Sequence, residues 1–370
     1  MIKVFNPKVT FSDKFSILSS LFKNEISGTS NEINKFEEGL SLQFSREHAV
    51  AVSNGSNALD VALKLLDLKK GDEVILPSFT IISCLSAIVR TGATPVFCDV
   101  DADTWNMTIE DVKRVFTEKT RAVLIVHTYG LVADAIKIEE FCKQKNLKLV
   151  EDAAEAHGQK ISDIKCGSIG DVSTLSFYAN KHITTGEGGA ILTNSKELYL
   201  RAKQMINLDF DNKNRFKHNN LYWNYRMSGI QAAMGRSQLK NIDSVIKFKI
   251  SQGEYYLSLF RKYKVKIQLP IDKIGSTNNH FWVFGVVLDG KTDRDYMMKK
   301  LYDYKIETRP FFWPLHLQPI AKRFKSSENR CINSEKLGKN GFYIPMGKHV
   351  SRKDQKHIVL KIKSIIEEKN

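Results

Sequence analysis

No run in the chain approaches the roughly 18 consecutive apolar residues of a membrane span, so a membrane protein is not expected. The opening residues Met1-Ile2-Lys3-Val4-Phe5-Asn6-Pro7 lack the long apolar segment of a secretory signal. Cysteine is scarce. Cys84, Cys98, Cys142, Cys166 and Cys331 are scattered and odd in number, and none stands at metal-ligand spacing. That argues against a disulfide framework and a cysteine metal site, and it points to a reducing cytoplasm. Internal repeats, low-complexity tracts, helical DNA-reading motifs and aromatic RNA-binding signatures are also missing.

What is present is ordinary for a globular protein. The 370 residues are 42% hydrophobic and 26% charged, enough for two domains with sizeable cores. Lys+Arg outnumber Asp+Glu by 56 to 41, a formal net charge of +15. The lysines are dispersed, as in Lys64, Lys69, Lys70, Lys143, Lys145 and Lys148. The charge therefore reads as a solvated surface with some attraction for anionic substrates, and a nucleic-acid binder is the last-ranked reading.

Periodicity divides the chain. Phe15, Leu18 and Phe22 are helically spaced, as are Ile33, Phe36, Leu40 and Phe44, and both stripes are expected to face the core. Short apolar runs then alternate with helical patterns: Ala49–Val52, Val74–Pro77, Thr94–Val100, Ala122–His127 and Leu147–Asp152 are strands, with helices between them. Such alternation predicts a mostly parallel sheet flanked by helices, an α/β fold, whose ligands bind outside the carboxyl ends of the strands. Residues 208–220 are polar and aperiodic and read as a loop; a long helical region follows from Ser228 to about Phe260. The last third reads as a smaller α+β domain, which puts the large domain at 1–244 and the small one at 245–370.

Residues 147–189 carry the chemistry. One strand ends in Glu151-Asp152, and a second, Val172–Tyr178, leads to Asn180-Lys181-His182 and the turn Gly186-Glu187-Gly188-Gly189. An acid at one strand end and a lysine after the next suit pyridoxal phosphate (PLP): the amine condenses with the cofactor aldehyde, and the acid keeps the pyridine nitrogen protonated. Taken alone, Lys181 is equally readable as a solvated loop residue and Asp152 as a helix cap. Ser53-Asn54-Gly55-Ser56-Asn57, running into a helix, has the form of a phosphate site, or of plain N-capping by Ser56 or Asn57.

The ordered set of Ser53–Leu59, Gly71–Pro77, Gly92–Val96, Glu151–Ala156, Ser176-Phe177, Lys181, Gly186–Gly189 and Asn224–Met227 resembles the DegT/DnrJ/EryC1/StrS aminotransferases along nearly the whole chain. These are PLP enzymes of fold type I that aminate keto groups on nucleotide-linked sugars. Glu307–His316 and Asp103–Met107 are most similar to the GDP-perosamine synthase subgroup. The resemblance implies catalytic roles for Lys181 and Asp152 and a cofactor site of Gly55, Ser56, Asp152, Glu155, Ser176, Lys181 and Ile81. Asn224 would reach the cofactor phosphate of a partner subunit, making the enzyme a homodimer with shared sites. His127, Arg309 and His316 would lie towards the substrate; their alternatives are a strand-end hydrogen bond for each histidine and a surface ion pair for the arginine. Ile81 stands where relatives commonly carry an aromatic, and Ser56-Asn57 where Thr-Ala is usual. Lysine at 181, with histidine one position later, rules out the dehydratase branch.

The implied reaction takes an amino group from L-glutamate, through pyridoxamine phosphate, to a keto-deoxy sugar resembling GDP-4-keto-6-deoxymannose, in polysaccharide or lipopolysaccharide O-antigen synthesis. The alternatives are the same chemistry on another nucleotide sugar or on a small phosphorylated ketone, or a non-catalytic binding or regulatory protein on the same scaffold. No metal or membrane partner is expected.

Overall fold

The computed structural model of the chain describes residues 1–210, 215–328 and 330–368. Two helices, α1 (Phe11–Phe22) and α2 (Asn31–Phe44), come first. Then β1 (His48–Val52), α3 (Gly55–Lys64), β2 (Glu73–Pro77), α4 (Ile82–Thr91), β3 (Thr94–Cys98), α5 (Ile109–Val115), β4 (Thr120–Val126), α6 (Ala135–Lys145) and β5 (Lys148–Asp152) alternate. A hairpin of β6 (Lys160–Ile161) and β7 (Ile164–Lys165) precedes β8 (Val172–Ser176), β9 (Gly189–Thr193) and the helices α7 (Lys196–Met205), α8 (Gly229–Leu239) and α9 (Ile242–Lys262). The remainder holds the hairpin β10 (Lys273–Ile274) and β11 (Thr277–Asn278), then β12 (Phe284–Val287), α10 (Arg294–Asp303), β13 (Arg309–Pro310), α11 (Ile332–Asn340), β14 (Gly341–Ile344) and α12 (Arg352–Glu367).

Seven strands form the central sheet in the order β1-β9-β8-β5-β4-β2-β3. All pairings among β8, β5, β4, β2 and β3 are parallel; β9 alone runs against its neighbours β1 and β8. Six strands therefore deliver their carboxyl ends to one edge, where a site can be assembled from separate segments. Both faces are covered. Val74, Leu76, Leu124 and Val126 pack under α3 and α4, while Ile75, Val123 and Ile125 pack under α5 and α6.

The second apolar stripe is core: Ile33, Phe36, Leu40 and Phe44 are buried against Leu175, Phe177 and Leu192. The first is not. Phe15 and Phe22 are 65% and 85% exposed, and Phe11 and Leu18 are exposed with them. Helix α1 instead turns its polar face inward: Ser16 Oγ donates to Ala233 O at 2.7 Å, Gln238 Nε2 donates to Asp13 Oδ2 at 2.6 Å, and Ser12 meets Ser237 at 3.1 Å. These hydrogen bonds to α8 override the apolar stripe.

The expected long helix from Ser228 is two helices, broken at Lys240-Asn241. The proposed boundary at 245 falls inside α9. Ile242 and Ile246 pack with the first-half cluster, whereas Tyr256, Leu257 and Phe260 pack with the C-terminal one, so α9 belongs to both. Within the 208–220 loop, residues 211–214 lie outside the described residues. Its flanks are pinned, because Asp209 accepts from the Asn219 and Asn220 amides at 2.8 Å each.

Phe36 is fully buried, with its ring centroid 5.2 Å from that of Phe177. Phe36→Ala is expected to cost about 3–5 kcal/mol. Urea unfolding followed by far-ultraviolet circular dichroism measures this, and an unchanged midpoint would contradict the packing assigned to α2.

Candidate active site

The pleat of β5 decides which side chains meet. Successive residues point to opposite faces. Leu149 belongs to the cluster under α5 and α6 and Val150 to that under α3 and α4, so Glu151 and Asp152 part company in the same way. Glu151 turns into a closed network. Its carboxylate accepts from His127 Nε2 at 2.9 Å, Gly167 N at 2.8 Å, Ile169 N at 2.9 Å and Ser173 Oγ at 2.7 Å. Burial works to raise its pKa, but the bonds from His127, Gly167 and Ser173 outweigh burial and hold it below the usual range.

Asp152 turns the other way, into a cavity of about 590 Å³. Asn54, Gly55 and Ser56 from the start of α3, Thr80 and Ile81 after β2, Val126 at the end of β4, Glu155, Ser176, Lys181 and Tyr225 line the same space. Asp152 is fully buried. Burial raises its pKa, against the Ala154 amide, which donates to Oδ1 at 3.0 Å, and against the charge of Lys181. Glu155 is pushed up to about 7 by burial, opposed by Lys181. Lys181 Nζ stands 3.4 Å from Glu155 Oε1 and 3.9 Å from the centroid of the Trp282 ring. Glu155 also accepts from the Tyr129 amide at 2.9 Å. Tyr129 has a left-handed backbone, φ 62°, which aims that amide at the carboxylate.

The open end of α3 is shaped for an anion. Asn54, rather than Ser56 or Asn57, is the N-cap, and its side chain accepts from the Asn57 amide at 2.9 Å. The amides of Gly55 and Ser56 remain at the positive end of the helix. A Cβ at Gly55 would sit 2.7 Å from the Ser176 Cβ, and one at Gly189 would sit 2.6 Å from the Asn54 carbonyl. Both glycines thus permit the close approach of β8, β9 and the α3 turn.

These donors fit PLP. A ring-nitrogen partner (Asp152), an amine (Lys181), an anion-binding helix end with two serine hydroxyls (Ser56, Ser176) and a half-exposed aliphatic flank (Ile81) converge on one space. A family model, the DegT/DnrJ/EryC1/StrS aminotransferase family, matches residues 13–363.

The chain belongs to this family. It is a PLP-dependent aminotransferase. A GDP-perosamine synthase of Escherichia coli O157:H7 is 36% identical over 345 residues, 93% of each chain. Another, from Vibrio cholerae, is 34% identical over 86% of this chain and 87% of its own. Among solved structures, the aminotransferase TlmJ of Streptoalloteichus hindustanus is 26% identical and superposes with a TM-score of 0.93 over 100% of this chain and 99% of that one.

Three residues of this aminotransferase expected to lie towards the substrate fall outside the cavity lining. His127 is fully buried on the Glu151 face; its Nδ1 accepts from the Ala133 amide at 3.1 Å. His316 is buried between Ser78 Oγ, at 2.6 Å, and Glu335, at 3.3 Å. Arg309 pairs with Glu307 at 3.3 Å beside the Phe5 ring and lies outside the cavity lining. The two histidines are buried in hydrogen bonds and Arg309 holds a surface ion pair, the alternatives weighed for them from the sequence. Asn224 is exposed and also lies outside this chain's cavity, whereas its neighbour Tyr225 lines it. The sequence reading missed Trp282, Tyr343, Phe312 and the Arg90–Asp60 ion pair, all in the lining. Phe312 stood in a segment already singled out, but nothing in the sequence marks which of Phe311, Phe312 and Trp313 turns inward.

Adjacent residues should therefore behave oppositely. Glu151→Ala leaves buried donors without an acceptor and is expected to lose about 3–5 kcal/mol of stability. Asp152→Asn removes a desolvated charge, so the cofactor-free protein should unfold at the same or higher urea concentration. Equal losses in the two variants would contradict the opposite facing.

Glu155 gives a pH test on the cofactor-free protein. Its folded pKa of about 7 lies above the ordinary 4.5. Between those values the unfolded carboxyl is ionised while the folded one keeps its proton, so stability falls as pH rises through that window. The loss is at most roughly 3 kcal/mol. Urea midpoints between pH 5 and 7 should drop less in Glu155→Gln than in the parent; parallel slopes would refute the assignment.

Proposed function

We propose that the enzyme transfers the amino group of L-glutamate to the keto carbon of a nucleotide-linked keto-deoxy sugar resembling GDP-4-keto-6-deoxymannose, as a homodimer. The observation that carries the chemistry is the meeting of Lys181, Asp152, Glu155 and the open end of α3 around one cavity. The relatives named as GDP-perosamine synthases support the sugar.

When bound, PLP supplies an aldehyde that takes up the amino group and a ring that accepts the electrons of the broken C–H bond. Lys181 anchors it through Nζ and, once released, carries a proton at that nitrogen to and from the reacting carbon. Asp152 keeps the ring nitrogen protonated, and burial strengthens that contact by lowering the local dielectric. Glu155 holds the ring's hydroxyl side and gives the free Lys181 amine a resting partner. Gly55, Ser56 and Ser176 take the phosphate, and Ile81 packs on the ring. Asn224, exposed and outside the lining of its own cavity, serves the partner's phosphate. The outward apolar face of α1 further supports a second copy, because contiguous exposed apolar surface marks interaction sites.

Purified protein should absorb in the visible, and borohydride should fix PLP to Lys181. Lys181→Ala should lose amination by roughly 10²–10⁴-fold or more. Asp152→Ala should lower the rate more than it lowers cofactor content. With L-glutamate as donor, the keto-deoxy GDP-sugar should outpace a dTDP-linked 4-keto sugar and a small phosphorylated ketone. Turnover of the ketone alone, or fixation at another lysine, would sink the reading.

A further inference from the structure

The chain's charge is unevenly shared. Residues 245–370 hold 26 of its 56 lysines and arginines but only 12 of its 41 aspartates and glutamates, so they carry +14 of the net +15. The first 244 residues are nearly balanced. Such an asymmetry points to an anionic partner wherever the cations coincide with a second recognition element.

That coincidence occurs in the segment 313–332. It runs through three short 3-10 turns, Leu315–Leu317, Pro319–Arg323 and Lys325–Glu328, ahead of α11. Leu315, Ala321 and Cys331 turn inward and pack with Leu76, Leu85 and Phe97. Trp313, Leu317, Ile320 and Ile332 are left outside, 47%, 39%, 53% and 59% exposed. Lys322, Arg323, Lys325 and Arg330 are exposed among them. Glu335 is turned to His316, at 3.3 Å, and among the described residues no carboxylate lies within ion-pair distance of Lys322, Arg323 or Lys325. The segment is tied down. The Leu315 amide donates to Ser78 O at 2.7 Å, Ser326 Oγ donates to Pro95 O, and the Asn333 amide donates to Asp99 Oδ2 at 2.9 Å. Pro95 lies in β3, the edge strand at the other end of the sheet from β1. Helix α2 packs on β1, and α1 and α2 both pack on α8. The patch is therefore at the opposite end of the sheet from α1, the face offered above to a second copy.

We propose that this patch seats the enzyme on the surface of an anionic phospholipid bilayer. Trp313, Leu317, Ile320 and Ile332 enter the boundary between headgroups and acyl chains, and Lys322, Arg323, Lys325 and Arg330 meet the lipid phosphates. Tryptophan and aliphatic side chains rimmed by lysine and arginine have the composition of an interfacial contact. A nucleic acid matches the cations but leaves Leu317, Ile320 and Ile332 without a partner. A second copy of the same face brings the same positive charge and is repelled. Among the described residues no helix is long and apolar enough to cross a membrane; attachment at the surface needs none.

The side chains of Ile320, Lys322 and Arg323 are exposed and outside the cavity lining, so Ile320→Ser and the double variant Lys322→Ala/Arg323→Ala should fold and hold cofactor as the parent does. The cofactor-loaded enzyme is sedimented with vesicles of phosphatidylglycerol and phosphatidylethanolamine, and with vesicles of phosphatidylcholine alone. The parent should follow the anionic vesicles and not the neutral ones, and high salt should release it. The double variant should bind the anionic vesicles roughly 30-fold more weakly, the effect of two basic residues near such a surface. Ile320→Ser should bind them roughly tenfold more weakly, through lost apolar burial. Absent sedimentation of the parent, or variants that sediment as the parent does, would overturn the proposal. So would displacement by millimolar glycerophosphate, which marks a site for a free phosphate. Ile320→Ser binding like the parent while plasmid DNA competes for both would show a general polyanion contact and overturn it as well.

Discussion

The carboxylate of Glu151 is the joint on which the site is built. It gathers donors from the end of β4, from the loop before β8 and from β8 itself. Arg46, entering just before β1, ties the same loop by donating to Gly167 O, Ile169 O and Gly170 O and to Ser173 Oγ. A buried charge is tolerated only when its oxygens are satisfied, and here every bond also fixes a strand end. Because the pleat alternates, fixing Glu151 on one face fixes Asp152 on the other. The register pairs Val126 with Asp152 and Asp152 with Thr174, so three strands present one cavity wall from a single backbone arrangement.

The opposite face holds what stability alone would not choose. Asp152 and Glu155 are both buried and both raised by burial, beside a lysine that only partly compensates them. Groups perturbed in this way cluster at functional sites, and their chemistry fits a cofactor that brings a ring nitrogen, a hydroxyl and a phosphate. Glu151 and Asp152 are neighbours in sequence on opposite faces, one holding the sheet and one lining the cavity.

Strand and helix alternation made the parallel sheet legible, and the order of short motifs made the cavity lining legible, because Gly55, Ser56, Asp152, Ser176 and Lys181 all sit at or within five residues of strand ends, where parallel sheets bind ligands. His127 takes the hydrogen-bonding alternative for a reason the sequence already held. It lies two residues after Ile125, which packs under α5 and α6, so period-two alternation sends it to the Glu151 face. Arg309 and His316 belong to a proline-punctuated segment with no such period, and only tertiary packing decides their direction. Helix α1 failed differently. Its apolar and polar stripes are both regular, and hydrophobic spacing alone cannot say which one a neighbouring helix will satisfy with hydrogen bonds.

A second cavity, of about 290 Å³, shares Asn180, Lys181, Trp282 and Tyr343 with the first. Lys181 sits on their shared wall, with carboxylates on one side and lysines on the other. Trp282 completes the partition: its carbonyl takes Lys249, its indole N–H donates to Asn180 O at 2.9 Å, and its ring lies beneath the Lys181 ammonium. One residue thus touches both the cation of the outer cavity and the amine of the inner one.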